Sequence, residues 1–351
     1  LIRQLTSTPG PDRFLILMNS LVADAIPVSP VAGERIVLPV NAESRLKRVV
    51  SEQFFLRGIA KNARADVLHS TGNTLPLGTG IPAIVTLHDL QYRHYPANFA
   101  TGRRLYLQAM IPVSLRRAAR VICDSEYTRD DARAAFGLDQ RKLCVVYAGG
   151  LTREELSTQT DAESVRRRYG LVGPFLLSVG SSLPHKNLER MIEAFASAAG
   201  SIPHAMVIVG PGISDDSRLA AALRATNLEA GGRIRRLGFV PRKDLPSLYA
   251  ASDAFVFPSL FEGFGIPAVE AMQSGCPVIC SRATSLPEIV GDAGLLIDPE
   301  DTGGFASAMR SVCSDPTLRE RLREKGKARS ALFSWEQMAE ELRRIYHDVA
   351  R

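Results

Sequence analysis

The sequence lacks any long hydrophobic run: no apolar stretch approaches the roughly 18 residues that a membrane-spanning helix needs. Cysteine is also scarce, and its spacing matches no pattern of metal ligands. The five cysteines are Cys123, Cys144, Cys276, Cys280 and Cys313. Such scattered thiols predict buried, reduced side chains and therefore a cytoplasmic protein. Residues 1–5 include neither an initiator methionine nor the features of a signal peptide.

Charge is unevenly distributed along the 351 residues, whose formal net charge is +6. Residues 1–150 contain 19 Lys and Arg against 12 Asp and Glu, whereas the remainder is close to neutral. A basic half could face an anionic acceptor, a membrane surface or nucleic acid, or be an ordinary arginine-rich surface. No RNA- or DNA-binding motif accompanies the charge, so nucleic acid is not a predicted partner. Peripheral contact with an anionic membrane is a hypothesis based on five arginines that flank the apolar residues 105–115: Arg103, Arg104, Arg116, Arg117 and Arg120.

Strands and helices are predicted to alternate along the chain. Short apolar runs without polar alternation are typical of strands buried on both faces of a parallel sheet. The predicted strands are residues 14–18, 35–38, 67–69, 83–87, 120–123, 143–146, 174–179, 205–209, 234–237, 254–257, 278–280 and 295–297. The predicted helices of the first half are residues 44–60, 103–119 and 127–136. This alternation predicts an α/β fold with two doubly wound domains.

The most informative stretch is residues 253–280, which read as strand, loop, helix and strand. The loop, residues 262–267, has the sequence Glu-Gly-Phe-Gly-Ile-Pro, and its proline suits the first turn of the helix. A helix N-terminus offers free backbone N–H groups to an anion such as a diphosphate. Glu262 and Glu270 flank this position and are suited to accepting hydrogen bonds from sugar hydroxyls. Taken alone, Glu270 could equally complement the helix dipole while Glu262 is simply solvated.

Residues 257–278 closely resemble the signature of the retaining glycosyltransferases of family 4, which have the GT-B fold, and the similarity continues through residues 286–300. The resemblance implies two Rossmann-like domains facing a cleft, with the donor on the second. It implies that Glu262 holds the donor sugar and that Glu270 holds the ribose of a nucleotide sugar. The further donor-binding residues implied by the resemblance are Phe239, Val240, Gly263, Phe264, Gly265 and Ile266.

A predicted strand at residues 84–87 ends in His88 and Asp89. Side chains at the carboxyl end of a parallel strand point into the crevice where α/β proteins bind ligands. A lone histidine there is usually structural, but the family carries a histidine at this strand end beside the donor sugar. The resemblance therefore implies that His88 is catalytic. Asp89 is an acceptor-side candidate that either orients His88 or caps the following turn.

A second glycine turn follows the strand that opens the second half. Gly180 ends that strand, and Lys186 can reach a phosphate as a point charge. The family has a basic pair here, an arginine soon after the glycine and then the lysine. This sequence has Ser181 at the arginine position, so the second positive contact is unassigned. Lys186 is predicted to assist departure of the diphosphate.

Two polar loops are candidates for the acceptor side of the first domain. Asn73 lies after one predicted strand, although polar turn chemistry explains it nearly as well. Ser125 resembles part of a family segment, but it also suits the N-cap of the helix that begins near residue 126. For Ser125 the structural and functional interpretations carry equal weight.

The predicted domains are residues 1–165 on the acceptor side, residues 166–333 for the nucleotide sugar, and residues 334–351 as a helix that crosses back to the first domain. The first strand and glycine-rich loop of the family are expected to be missing from the front of this chain.

The predicted reaction is the retaining transfer of a hexosyl unit, with mannosyl from GDP-mannose favoured, to a hydroxyl of a glycan or lipid-linked acceptor. No Asp-x-Asp motif occurs, which fits a metal-independent reaction without a cofactor beyond the donor. The alternatives are a UDP-sugar donor, or a nucleotide-sugar-binding protein without turnover. The expected location is the cytoplasm, with peripheral association on the cytoplasmic face of the inner membrane as a hypothesis.

Overall fold

A computed structural model of the chain describes residues 1–20, 23, 26–38, 56, 58–213, 217–229 and 231–351. The helix predicted over residues 44–60 lies mostly outside the described residues and stays a prediction, although residues 58–62 are helical. The described residues form an α/β protein with parallel sheets, as the alternation of strands and helices predicted.

The strands of the first half form two parallel sheets within the described residues. The two-stranded sheet pairs β1 (Phe14–Asn19) with β2 (Gly33–Leu38). The four-stranded sheet follows chain order and contains β3 (Leu68–Ser70), β4 (Ala83–Leu87), β5 (Arg120–Cys123) and β6 (Leu143–Val145). The helices of this half are α1 (Ile2–Ser7), α2 (Gln91–His94), α3 (Thr101–Arg117) and α4 (Glu126–Phe136).

Helix α3 begins and ends two residues earlier than predicted. Its last residue is Arg117, because Ala118 adopts an extended ψ of 140° and leads the chain directly into β5. The preceding strand, β4, is buried along its whole length. A strand of this kind is covered on both faces, as an inner strand of a parallel sheet is. His88 follows its carboxyl end.

The second half contains one six-stranded parallel sheet. Its strands are β7 (Phe175–Val179), β8 (Ala205–Val209), β9 (Ile234–Gly238), β10 (Ala254–Phe257), β11 (Val278–Ser281) and β12 (Gly294–Ile297). Its helices, with two helices of the crossover before them, are α5 (Arg153–Ser157), α6 (Ala162–Tyr169), α7 (Leu188–Ala199), α8 (Ser217–Thr226), α9 (Leu245–Ala251), α10 (Ile266–Gln273), α11 (Leu286–Val290), α12 (Thr302–Ser314), α13 (Pro316–Ser330) and α14 (Trp335–Ala350).

The order of these six strands locates the ligand-binding edge of the sheet. The order is β12-β11-β10-β7-β8-β9, which is the arrangement of a Rossmann domain. The direction of winding reverses between β7 and β10, and ligands of open α/β sheets bind outside the carboxyl ends of strands at this point. The loops that follow β7 and β10 contain Lys186 and Glu262, so the fold brings these two predicted site residues to one place.

Helix α14 packs against the first half of the chain. Ser334 caps it by accepting a hydrogen bond from the N–H of Gln337 at 3.1 Å. On its far end, Arg343 pairs with Asp12, and Nδ1 of His69 lies 2.6 Å from the hydroxyl oxygen of Tyr346. These contacts tie the C-terminal helix to the segment between α1 and β1 and to β3 of the first half.

The start of α14 is also held where the two halves join. A Cβ atom added to Gly149 would lie 2.7 Å from Cγ of Trp335, so only glycine allows this approach. The indole N–H of Trp335 then donates to the carbonyl of Gly150 at 2.9 Å.

Candidate active site

The two halves touch where the loop after β10 meets the end of β4. A Cβ atom added to Gly263 would lie 2.0 Å from the carbonyl oxygen of His88, which no side chain could tolerate. The carbonyl of Gly263 accepts hydrogen bonds from the hydroxyls of Ser125 at 2.6 Å and Thr128 at 3.1 Å. The backbone next to Glu262 is therefore fixed against the backbone of His88, and residues from both halves share one site.

Both ring nitrogens of His88 face atoms that can only accept hydrogen bonds. Nδ1 lies 2.6 Å from a carboxylate oxygen of Asp124, and Nε2 lies 2.8 Å from the carbonyl oxygen of Thr71. Only a doubly protonated ring can donate in both directions. The hydrogen bond to Asp124, opposed by burial, raises the pKa of His88 to about 9. The site therefore holds a cationic imidazolium at neutral pH, with 49% of its side chain exposed.

Asp124 orients His88, and the sequence interpretation missed this role. The strand register pairs Leu87 with Cys123, so the residues that follow β4 and β5 are neighbours at the same sheet edge. A polar residue directly after each of two predicted adjacent strands was the signal that could have identified the pair. Asp89 instead accepts from the N–H of Gln91 at 2.8 Å and caps the turn before α2, one of its two predicted roles.

Asn73 and Ser125, both predicted on the acceptor side, form hydrogen bonds with backbone groups of this site. The side-chain oxygen of Asn73 accepts from the N–H of His88 at 2.8 Å, which holds the histidine in position. Ser125 caps α4 by accepting from the N–H of Thr128 at 3.1 Å, as its N-cap interpretation predicted. Its hydroxyl proton points to Gly263. Contact of either residue with an acceptor stays a prediction.

Lys186 and Glu262 form an ion pair at the switch point of the second sheet. The ammonium nitrogen lies 2.6 Å from a carboxylate oxygen of Glu262, and both side chains are mostly buried. The ammonium also lies 5.3 Å from the centre of the Phe257 ring, a cation–π distance. Gly180 adjoins the aliphatic stem of Lys186, and Ser181 is half-buried in the same loop.

A second cation lies beside the loop that follows β7. The sequence alone left the second positive contact of the phosphate site unassigned. The guanidinium of Arg218 donates to the carbonyl of Ser182 at 2.7 Å and lies 3.5 Å from the carboxylate of Glu189. Arg218 lies on α8. Arg218 is therefore a candidate for the second positive contact of the phosphate site.

Glu270 lies in a buried polar cluster rather than at the helix N-terminus. It is the fifth residue of α10, so the first turn contains no acidic residue and dipole compensation does not explain it. Only 2% of Glu270 is exposed, and burial raises the pKa of its carboxyl group. One carboxylate oxygen pairs with Arg242, and the other accepts from the hydroxyl of Tyr249 at 3.2 Å. Arg242 also donates to Glu155 at 2.8 Å.

The loop before Arg242 exposes an aromatic ring. Phe239 is 79% exposed at the end of β9, whereas the next residue, Val240, is buried. A solvent-facing ring beside a polar cluster is suited to stacking on a nucleotide base. At the start of α10, Gly265 has a φ of 107° that favours glycine, Phe264 is buried and Ile266 is partly exposed.

None of the described helices is both long and apolar enough to cross a membrane. Within the same residues, no group of three or more histidine, cysteine, aspartate or glutamate side chains is arranged to hold a metal ion.

Comparison with known proteins places this architecture among glycosyltransferases. Residues 162–329 match the family Glycosyl transferases group 1, and residues 20–149 match Glycosyltransferase Family 4. O-antigen chain mannosyltransferase B of Escherichia coli is 32% identical over 258 residues, which are 72% of this chain and 67% of that protein.

Solved structures show the same fold. Sucrose-phosphate synthase from Thermosynechococcus elongatus has a TM-score of 0.74 and 24% identity, covering 92% of this chain and 84% of that chain. Anabaena Alr3699/HepE, solved in complex with UDP, has a TM-score of 0.70 and 19% identity, covering 95% of this chain and 92% of that chain.

Two α/β domains whose loops meet in one polar site define the GT-B class of fold, as predicted. The chain belongs to the family 4 glycosyltransferases, and its resemblance to them is confirmed.

Proposed function

We propose that the protein transfers a mannosyl unit from GDP-mannose to a hydroxyl of a glycan or lipid-linked acceptor in polysaccharide synthesis, with retention of anomeric configuration. The observation that supports the proposal is the contact between Gly263 and His88, because it brings Glu262 of the second domain close to His88 of the first. The mannosyl unit rests on the similarity to an O-antigen chain mannosyltransferase.

In this proposal the nucleotide lies on the second domain. The ring of Phe239 stacks on the base, and Glu270 accepts from the ribose hydroxyls. Two oxygens of a carboxylate offer about four acceptor positions, so ribose can bind while Arg242 and Tyr249 stay in contact with Glu270. Buried charge partners of this kind fix the carboxylate and so preorganise it for the ribose.

The diphosphate takes the place beside Lys186 and the N-terminus of α10. Negative charge grows on the diphosphate as the sugar leaves, and a preorganised cation and helix N-terminus stabilise that charge without a metal ion. Glu262 and His88 contact the hexose from opposite domains. Nε2–H of His88 donates to the carbonyl of Thr71, so a sugar hydroxyl that accepts from this N–H takes the place of that carbonyl.

A UDP-sugar is the second candidate for the donor. Alr3699/HepE was solved with UDP, which favours a UDP-sugar as the alternative donor. A panel of GDP- and UDP-sugars tested by thermal unfolding decides between them, since a bound ligand raises stability by mass action. GDP-mannose should raise the unfolding temperature most, and a larger rise with a UDP-sugar would refute the donor assignment. Product analysis with the best donor then separates transfer from binding without turnover.

The lipid-linked acceptor implies contact between the first domain and an anionic leaflet on the cytoplasmic face. Helix α3 exposes Leu105, which is 57% exposed, and Val113 on the side that also carries Arg116. Sedimentation with anionic but not neutral vesicles, lost at high salt, is the expected result. Replacing Arg116 with serine should reduce it, and equal sedimentation with both vesicle types would refute membrane contact.

A further inference from the structure

The N-terminus of α4 in the first domain is occupied by a side chain from the second domain. Glu288, on α11, accepts hydrogen bonds from the backbone N–H of Glu126 at 2.7 Å and of Tyr127 at 3.1 Å, one to each carboxylate oxygen. These N–H groups have no partner within their own helix, and the positive end of the helix dipole favours a carboxylate there. Charge and hydrogen bonding therefore both favour contact between the domains at this point.

The same carboxylate has a third donor, and its own backbone is anchored. The hydroxyl of Tyr147 donates to Glu288 at 2.8 Å from the segment after β6. Arg329 of α13 donates to the main-chain carbonyls of Glu288 at 2.5 Å and Ile289 at 3.0 Å. Glu288 is thus fixed to the second domain through its backbone and to the first domain through its carboxylate.

A second contact between the domains is a buried cluster of aromatic rings around Phe261. Phe261, only 3% exposed, belongs to the loop after β10, and its ring centre lies within 6.0 Å of three rings of the first domain. These rings are His94 at 5.1 Å, Tyr95 at 5.8 Å and Tyr127 at 6.0 Å. Tyr127 therefore contacts the second domain twice, through its N–H to Glu288 and through its ring to Phe261.

On both sides of Glu262, residues of its loop contact the first domain. Phe261 precedes Glu262 directly, and Gly263 follows it against His88. We propose that Glu288 is a positioning residue that holds the domains closed, so that the loop with Glu262 stays against His88 during transfer while nucleotide binding proceeds without it. This inference rests on the proposed function, because it assigns to closure the step in which the sugar is transferred.

The test compares Glu288→Ala with Glu324→Ala, which removes an exposed carboxylate from α13 of the same domain. Hydrogen exchange reports the amides of Glu126 and Tyr127, titration with GDP and UDP reports nucleotide affinity, and initial rates report kcat. Because charged hydrogen bonds to both amides are lost, exchange should accelerate roughly tenfold to a hundredfold. Nucleotide affinity should change less than about twofold, and kcat should fall more than about tenfold, whereas Glu324→Ala should change none of these.

Two further variants guard against misfolding and test the chemistry. Tyr147→Phe removes one donor and leaves the helix contact, so it should produce a smaller loss of kcat in a fully folded protein. Glu288→Gln keeps the size and one acceptor oxygen, and it should restore part of the rate lost in Glu288→Ala.

Three results would overturn the inference. Unchanged exchange of both amides in Glu288→Ala would mean that the contact does not form in solution. Faster exchange with unchanged kcat would mean that closure at this point is not needed for transfer. Equal losses of nucleotide affinity and kcat/KM would place Glu288 in donor binding instead. A parent protein that binds nucleotide without transfer would refute the proposed function, while exchange and X-ray scattering of Glu288→Ala would still decide whether this residue closes the domains.

Discussion

Replacing Asp124 with asparagine should discharge His88 near neutral pH. The carboxylate of Asp124 lies 2.6 Å from Nδ1, and this hydrogen bond is the largest cause of the raised pKa of about 9. Asparagine keeps the shape and one acceptor oxygen but removes the negative charge. We therefore expect the pKa of His88 in Asp124→Asn to return toward the ordinary value of about 6.5.

The size of the effect follows from the two pKa values. The difference between about 9 and 6.5 corresponds to at most about 3.4 kcal/mol, at 1.36 kcal/mol per pKa unit. Because 49% of the His88 side chain is exposed, screening by solvent reduces this to about 1–2 kcal/mol. A pKa raised by folding stabilises the protein below the unfolded value near 6.5, and this stability is lost as pH rises through about 9. Asp124→Asn should therefore cost about 1–2 kcal/mol at pH 6 and much less at pH 10.

The direct assay is an NMR titration of the six histidines, with His88→Gln used to assign the His88 signal. Denaturant unfolding at pH 6 and pH 10 measures the linked stability. Transfer should fall above about pH 9 in the parent protein and at a lower pH in Asp124→Asn. The matched control is Asp131→Asn, which removes the carboxylate 2.8 Å from His94. A His88 pKa that stays near 9 in Asp124→Asn, or equal destabilisation at both pH values, would refute the electrostatic argument.

Four further predictions test the remaining assignments. Glu270→Ala should weaken binding of the free nucleoside diphosphate by about 1.5–3 kcal/mol in calorimetry, because a charged acceptor is lost, and Glu324→Ala should not. His88→Ala and Glu262→Ala should each lower kcat on the order of a hundredfold with little change in diphosphate affinity, since contacts to the reacting sugar strengthen in the transition state; a collapse of affinity with normal turnover would contradict this. Arg218→Ala should weaken binding of the nucleoside diphosphate more than binding of the nucleoside, and equal weakening of both would show that Arg218 does not contact the phosphates. EDTA should leave transfer intact, and loss of activity restored by magnesium or manganese would contradict a metal-independent reaction.

Much of the fold could be predicted because central strands such as β4, β7 and β10 are buried on both faces. Because such a strand has no solvent-exposed face, its residues form a continuous apolar run without polar alternation. The two ends of that run indicate the ends of the strand. Strand β4 was predicted as residues 83–87 and has the bounds Ala83–Leu87. The end of α3 was less accurate, because the residues around Ala118 favour a helix and only the start of β5 stops it.

The individual site residues could be predicted where a local motif contains them. Glu262, Gly263 and Glu270 belong to one continuous segment, and its loop and helix have the predicted arrangement. Their partners come from distant parts of the chain: Arg242 for Glu270, and Lys186 for Glu262. Such pairs depend on which strands become neighbours in the sheet, and a single sequence states that only indirectly.

The contact between the domains depends on partners that are even further apart in the chain. Glu288 and Tyr127 are 161 residues apart, and the sequence around either residue does not indicate the other as its partner. What the sequence does contain is each half of the contact: a helix N-terminus with a serine cap at Ser125, and a glutamate near the start of α11. A carboxylate and a helix N-terminus attract each other wherever the fold brings them together. Closure of this enzyme therefore follows from ordinary helix electrostatics, made specific by a glycine, Gly263, that lets the two backbones touch.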